Sequence, residues 1–268
     1  MKPEEMVRLT ANRRSFLKGA GMTGLGLASA AMISSKFGAN EQKVAAASVT
    51  DGDILNFALN LEYLEAEYYA MATFGANLVK LGVISKDDET GPTTGGNRVP
   101  TFESSPVANM ATALRETEIE HVLLLRAALG SAAAKKPAIN LDALGYGFSS
   151  VNSFLKIARQ FEDVGVSAYL GAAPLIESKE YLTAAGAILA TEAQHSGSLR
   201  FACIMKGVSS PAVDSLDIPP TDKHFYDVTS QGLSIPRTTS QVLNIVYGGG
   251  RCSGGFYPDG MNGVIVCQ

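Results

Sequence analysis

The sequence predicts an all-α protein built on a four-helix bundle, with an irregular C-terminal extension. Three observations carry that reading. Four long segments place apolar residues at alternating spacings of three and four, the signature of helices with a core-facing stripe. Two of the three histidines sit in the same local frame on such a stripe, Glu118-Ile-Glu-His121 and Glu192-Ala-Gln-His195. Each frame is preceded by a segment with a lone carboxylate on its own stripe, Glu62 before the first and Glu162 before the second.

The first helix is announced by Thr50-Asp51-Gly52-Asp53, a capping oxygen and acidic residues ahead of an apolar-periodic run. It is expected over about 53–81, with Leu55, Ala58, Leu59, Glu62, Glu65, Ala66 and Tyr69 on its stripe. A polar loop follows through Lys86-Asp87-Asp88-Glu89 and Gly91-Pro92-Thr93-Thr94-Gly95-Gly96, long enough to cover one end of a bundle. The second helix begins near Ser105-Pro106 and ends at Gly130, with Ala111, Leu114, Glu118, His121, Leu125 and Ala128 inward. The third is expected over about 150–176, through Leu155, Ala158 or Arg159, Glu162, Val166 and Tyr169. The fourth covers about 180–205, through Ala185, Ile188, Glu192, His195, Leu199 and Ala202.

Connector lengths narrow the topology. The stretch 131–147 could span about 50 Å when extended, whereas a helix of about 25 residues is about 38 Å long. A crossover along the whole bundle is therefore allowed between the second and third helices, as bundles whose second and third helices run parallel require. A faint internal repeat supports two related hairpins. Glu62 is followed seven residues later by Tyr69, and Glu162 seven later by Tyr169.

From about residue 208 the chain turns rich in Pro, Ser, Thr, Asp and Gly, with one short apolar helix expected at 239–247. Phe256, Tyr257 and Val264 to Val266 would pack on the bundle or on a neighbouring subunit. The expected division is a leader over 1–47, the bundle over 48–206, and a loop-rich extension over 207–268.

The leader reads as an address. Asn12-Arg13-Arg14-Ser15-Phe16-Leu17-Lys18 precedes an uncharged Gly/Ala-rich run, and Ala45-Ala46-Ala47 offers small residues suited to cleavage. This resembles a twin-arginine export signal, which implies the twin-arginine export machinery as a partner and a periplasmic or secreted destination. A weak membrane anchor is the alternative, but the run is short and diluted by Gly, Ser and Thr, where a spanning helix wants about 20 apolar residues.

A chain of 268 residues with net charge −4 carries no basic footprint for nucleic acid. The three cysteines, Cys203, Cys252 and Cys267, form no CxxC pair, which argues against a zinc site. Outside the cytoplasm a Cys252–Cys267 bridge could close the C-terminal loop, with Cys203 a buried thiol; three free thiols are the alternative. His224 lies in a polar part of the tail and is expected to be exposed. No phosphate loop or nucleophile elbow competes with the paired frames.

Glu67, Glu116, Glu120, Lys156 and Glu180 are expected on solvated faces. Glu62, Glu118, Glu162 and Glu192 instead occupy positions that neighbouring turns fill with Leu, Ile, Ala and Val. An isolated carboxylate there must be neutralised, paired or bound to metal. Four glutamates and two histidines in a repeated pattern favour metal, and oxygen-rich ligation with two imidazoles suits two ions of iron or manganese. Tyr69 and Tyr169 are candidates to donate hydrogen bonds behind the ligands or to relay single electrons; they could equally be core aromatics with satisfied hydroxyls. Glu65 shares a face with Glu62, either as a further metal-binding carboxylate or as a boundary residue.

Asn60-Leu-Glu-Tyr-Leu-Glu-Ala-Glu67, together with the two Glu-x-x-His frames, resembles the ferritin-like superfamily. Within it the chain looks most like the ferritin-like domain proteins that include plant desiccation-related proteins and bacterial exported members. The resemblance covers about 50–206, and the Gly-rich tail resembles the bacterial members more loosely. It implies Glu62, Glu118, His121, Glu162, Glu192 and His195 as ligands, with Glu118 and Glu192 bridging. It does not supply the reaction, because the superfamily hosts iron oxidation, peroxide reduction, dismutation and oxygenation on similar ligand sets. The expected partners are metal ions with O2 or H2O2, and the expected role is ferrous oxidation or peroxide reduction or dismutation in stress protection. A non-catalytic stress or envelope-structural protein on the same scaffold is the alternative. The bulk of the loop and tail favours a small homo-oligomer over a closed cage.

Overall fold

Residues 49–268, apart from 101 and 103–105, are described by the computed structural model. The address segment expected over 1–47 lies outside them. Four long helices form the bundle: α1 (Asp51–Phe74), α2 (Pro106–Leu129), α3 (Val151–Ala172) and α4 (Lys179–Met205). A short α5 (Thr239–Val246) follows in the tail. The chain is mostly helical, as an all-α bundle requires. Among the described residues no helix is long and apolar enough to cross a membrane.

The helix starts follow from local chemistry. Pro106 occupies the first position of α2, where its missing N–H costs nothing. Ser150 and Ser178 cap α3 and α4 by accepting the backbone N–H groups of Ser153 and Tyr181. Thr238 and Gln241 form a reciprocal capping box on α5.

Hydrogen bonds at the helix ends fix the topology. Asn56, near the start of α1, donates to Ala132 O just after α2, so α1 and α2 are antiparallel. Tyr68, late in α1, donates to Gly147 O and to Phe154 O at the start of α3. The connector from α2 to α3 therefore travels the length of the bundle, and α2 and α3 run the same way. Asp51 at the start of α1 accepts from the backbone of Glu177 and Ser178, which returns α4 alongside α1. This is the crossover topology that the connector length allowed.

The long α1–α2 loop lies along that crossover. Its strand β1 (Thr93–Thr94) pairs in parallel with β2 (Ile139–Asn140) of the connector. The loop drives Leu78, Ile84 and Val99 into the core. The tail docks through Asn262, whose backbone exchanges hydrogen bonds with the Asn60 side chain, and through Tyr257, whose hydroxyl donates to Asn60 O. Cys252 and Cys267 are bridged, and Cys203 is a buried free thiol.

Three expectations need correction. The first helix stops at Phe74, not near residue 81, because Gly75 adopts φ +68° and turns the chain. The third helix gives way at Ala172 to a 3-10 turn, Ala173–Leu175, where Pro174 lacks the donor that would continue it. Glu67 is fully buried rather than solvated. The amphipathic reading of α1 failed there because loop, crossover and tail cover its outer side, so every residue over 57–70 is buried.

Candidate metal centre

Each bundle helix sends its stripe residue to one level of the core. Glu62 comes from α1, Glu118 and His121 from α2, Glu162 from α3, and Glu192 and His195 from α4. All six are buried, the four glutamates at 1 % exposure or less. In each Glu-x-x-His frame, three-residue spacing stacks the pair on one helix face.

Two overlapping ligand sets result. One atom from each of Glu62, Glu118, His121 and Glu192 lies within 4.8 Å of the others, and the same holds for Glu118, Glu162, Glu192 and His195. Glu118 and Glu192 belong to both sets. The histidines turn Nδ1 inward: His121 Nδ1 is 3.2 Å from Glu62, 3.1 Å from Glu118 and 3.3 Å from Glu192. His195 Nδ1 is 2.9 Å from Glu118 and 3.1 Å from Glu162.

The protein's own protons do not satisfy this arrangement. An imidazole nitrogen carries at most one N–H, yet His121 Nδ1 meets three carboxylates. Glu118 Oε1 and both oxygens of Glu192 are buried without an aligned donor, although the first lies close to His195. Leaving such acceptors unmade is costly, and a cation between the two sets would satisfy them.

The electrostatics record the same crowding. Burial pushes the Glu118 carboxyl up, Glu162 adds to this and His121 opposes it, leaving it at about 7. Burial and then repulsion from Glu118 hold Glu192 well above the usual carboxylate range. Burial is the largest influence on Glu62 and acts to raise it, but the His121 charge together with hydrogen bonds from His121, Glu118 and Tyr169 outweighs it, and the carboxyl is held low. His195 is opposed by burial yet pushed up to about 11 by hydrogen bonds to Glu118 and Glu162. His121 is raised likewise by Glu62 and Glu118, against its burial.

Tyr69 and Tyr169 lie behind the terminal carboxylates in a crossed arrangement. The Tyr69 hydroxyl on α1 donates to Glu162 Oε1 on α3 at 2.5 Å, and the Tyr169 hydroxyl on α3 donates to Glu62 Oε1 on α1 at 2.5 Å. Burial, and then the adjacent carboxylate, holds both phenols well above their ordinary pKa. They are therefore neutral donors that aim the free oxygens of Glu62 and Glu162.

Glu65 is not a boundary residue. It is buried beside the cluster, and burial followed by repulsion from Glu192 and Glu162 pushes its carboxyl well up. In the repeat that matches Glu62 with Glu162 and Tyr69 with Tyr169, its counterpart is Gly165. A Cβ on Gly165 would meet Glu192 Oε2 at 2.4 Å and Glu65 Oε1 at 3.3 Å. The missing side chain makes room for two carboxylates.

Two supporting groups escaped the sequence reading. Thr117 Oγ1 lies 2.9 Å from His195 Nε2 and fixes that ring from its outer side. A signal existed, since threonine directly precedes the glutamate in both frames, Thr117 and Thr191. Asp163, next to Glu162, accepts from Ser196 at 2.5 Å and Arg200 at 2.6 Å. Arg159 places Nη1 against both oxygens of Asp217, at 2.8 and 2.7 Å. Asp163, Asp217 and Asp227 also come close enough to surround a cation, but the guanidinium groups already neutralise the first two. His224 is exposed.

No curated protein matches the chain. The sequence profile of the ferritin-like domain family matches residues 50–204, more than half of the sequence and the whole of α1, α2 and α3. With its crossover bundle and its buried Glu/His cluster, the chain belongs to the ferritin-like domain family.

Proposed function

We propose that the protein is an exported two-metal carboxylate protein, holding iron or manganese and reacting with O2 or H2O2 in stress protection. The observation that carries this is the pair of histidine-containing groups sharing Glu118 and Glu192, three of whose four carboxylate oxygens are buried without an aligned donor. The charges agree. Four carboxylates bring four negative charges, two divalent ions bring four positive ones, and both imidazoles can then be neutral. Oxygen donors with one nitrogen at each end suit iron or manganese better than a thiolate-seeking metal.

Glu62 and His121 would close one end of the pair and Glu162 and His195 the other, with Glu118 and Glu192 spanning both. When bound, such a pair supplies two one-electron changes. With two protons, that is the count needed to take O2 to H2O2, or H2O2 to two waters. The chain's own residues hold the geometry. Tyr69 and Tyr169 pin the terminal carboxylates, Thr117 orients His195, and the bundle keeps bulk water from the cluster. The twin-arginine pattern at Arg13-Arg14 and the Cys252–Cys267 bridge support an oxidising destination outside the cytoplasm.

The test is elemental analysis of protein purified from its native compartment, followed by O2 and H2O2 consumption. Two iron or manganese ions per chain, lost in His121→Ala and His195→Ala, is the expected result. A metal-free protein whose melting temperature ignores chelators would sink the reading and favour a purely structural scaffold.

A further inference from the structure

A small half-enclosed cavity of about 30 Å³ lies where α1, α3 and the tail helix α5 meet. Its walls are Leu61, Leu64, Phe161, Val164, Val246 and Ile245, and its inner end is Glu65 and Gly165. Val213 and Ile245 are its partly exposed wall residues. We propose that this cavity is the route by which molecular oxygen reaches the metal pair. The inference rests on the two-metal reading above and adds the oxidant and its path.

Position is the first argument. Gly165 brings the cavity's inner end directly against the cluster, since a Cβ there would meet Glu192 Oε2 at 2.4 Å and Glu65 Oε1 at 3.3 Å. Size is the second. The volume corresponds to roughly two water-sized spheres, which accommodates a diatomic molecule and excludes a hydrated metal ion or an organic substrate. Chemistry is the third. Among the described residues that line it, Glu65 and Gln160 bring the polar side chains; one Gln160 amide N–H is tied to Pro211 O, and its Oε1 is a buried acceptor without a partner. H2O2 would forfeit most of its hydrogen bonds on entering such a space, whereas O2 has none to lose. The tail thereby acquires a role, because α5 supplies the mouth.

Xenon-pressurised crystals of the full chain and stopped-flow oxidation of ferrous-loaded protein test this together. Xenon is expected between Leu64, Val164 and Val246. Ile245→Trp should abolish that site and slow oxidation by O2 about tenfold or more, with ferrous stoichiometry and the rate with H2O2 within about twofold of wild type. Val213→Phe, at a second partly exposed wall position, should act in the same direction and covers the case of a misfolded Ile245→Trp. Absence of xenon, an unchanged O2 rate in both variants, or a fall confined to H2O2 overturns the route. A wild-type chain that binds no metal overturns the two-metal reading itself, and its metal titration separates that failure from the others.

Discussion

The Tyr169 hydroxyl donates to Glu62 Oε1 at 2.5 Å across 107 residues of sequence, and Tyr69 repeats the contact with Glu162. Each hairpin's tyrosine thus holds the other hairpin's carboxylate, so the two halves of the cluster are locked to one another.

Replacing Tyr169 by Phe keeps the ring's packing and removes the hydroxyl that donates to a fully buried Glu62 oxygen. The metal-free protein should lose about 1–3 kcal/mol, read by urea denaturation in chelator. Metal affinity should fall about 10–100-fold, and Tyr69→Phe should behave alike. Phenylalanine variants indistinguishable from wild type in both measurements would show that the tyrosines are only core filler.

On the two-metal reading, metal removal should cost stability, because the cluster that would hold the ions is assembled only in the folded chain. At a free metal concentration about a hundred times Kd, linkage supplies about 2.7 kcal/mol for each site occupied. For a domain of this size that corresponds to roughly 5–10 °C in Tm. Glu118→Gln, which damages both ligand sets, should lower the stoichiometry at both sites, whereas Glu62→Gln should weaken one. Equal effects from the two variants in isothermal titration would contradict a shared position for Glu118.

Much of this was legible in the sequence. Helical periodicity pointed to the four helices, and the Glu-x-x-His spacing pointed to the glutamates and histidines that cluster in the core, because both follow from the geometry of one helix at a time. What escaped depended on contacts between elements distant in sequence. Glu67 reads as a solvated residue until the α1–α2 loop and the crossover close over α1. Glu65 becomes part of the cluster only because Gly165, on another helix, makes room. The Asp163–Arg200 pairing joins α3 to α4, and neither residue signals it alone.

The cluster's titration gives metal-free and metal-loaded forms opposite pH trends. Glu118 is held up at about 7 and His195 at about 11. A carboxyl raised above its unfolded value of about 4.3 stabilises the folded state least once pH has climbed through its folded pKa. A histidine raised above about 6.5 contributes fully below that value and loses its contribution as pH rises through about 11. Both therefore lower the stability of the metal-free bundle as pH increases. Metal must displace the same protons, so its affinity should increase with pH and its binding should release them. Calorimetry in buffers of different ionisation enthalpy, together with the Tm gap between loaded and chelated protein at pH 6 and pH 8, checks this. The gap should widen at the higher pH.

Lys136 and Glu67 form a second buried polar group, independent of the metal. Lys136 Nζ is fully buried, donates to Gly91 O, Thr93 Oγ1 and Pro137 O, and lies 3.3 Å from Glu89 and 3.9 Å from Glu67. Lys136→Met would strand buried carboxylates and should cost about 3–5 kcal/mol in urea denaturation. Adding Glu67→Gln should recover part of that loss. A double variant no better than the single would mean that Glu67 does not sense the lysine charge.

Gly165→Ala is the sharpest probe of how tightly the cluster is built. Gly165 has no left-handed backbone to explain its identity, so space is the whole argument. The added Cβ would lie 2.4 Å from Glu192 Oε2, well inside contact distance, and the glutamate must swing away. Helix propensity alone predicts that alanine stabilises α3 by about 0.5–1 kcal/mol. The expected outcome is therefore a split: a metal-free protein no less stable than wild type, with metal binding weakened at both positions because Glu192 serves both sets. A variant that keeps two metals at wild-type affinity would show that Glu192 has room to move, and that the carboxylate crowding around Gly165 does not set the geometry of the centre.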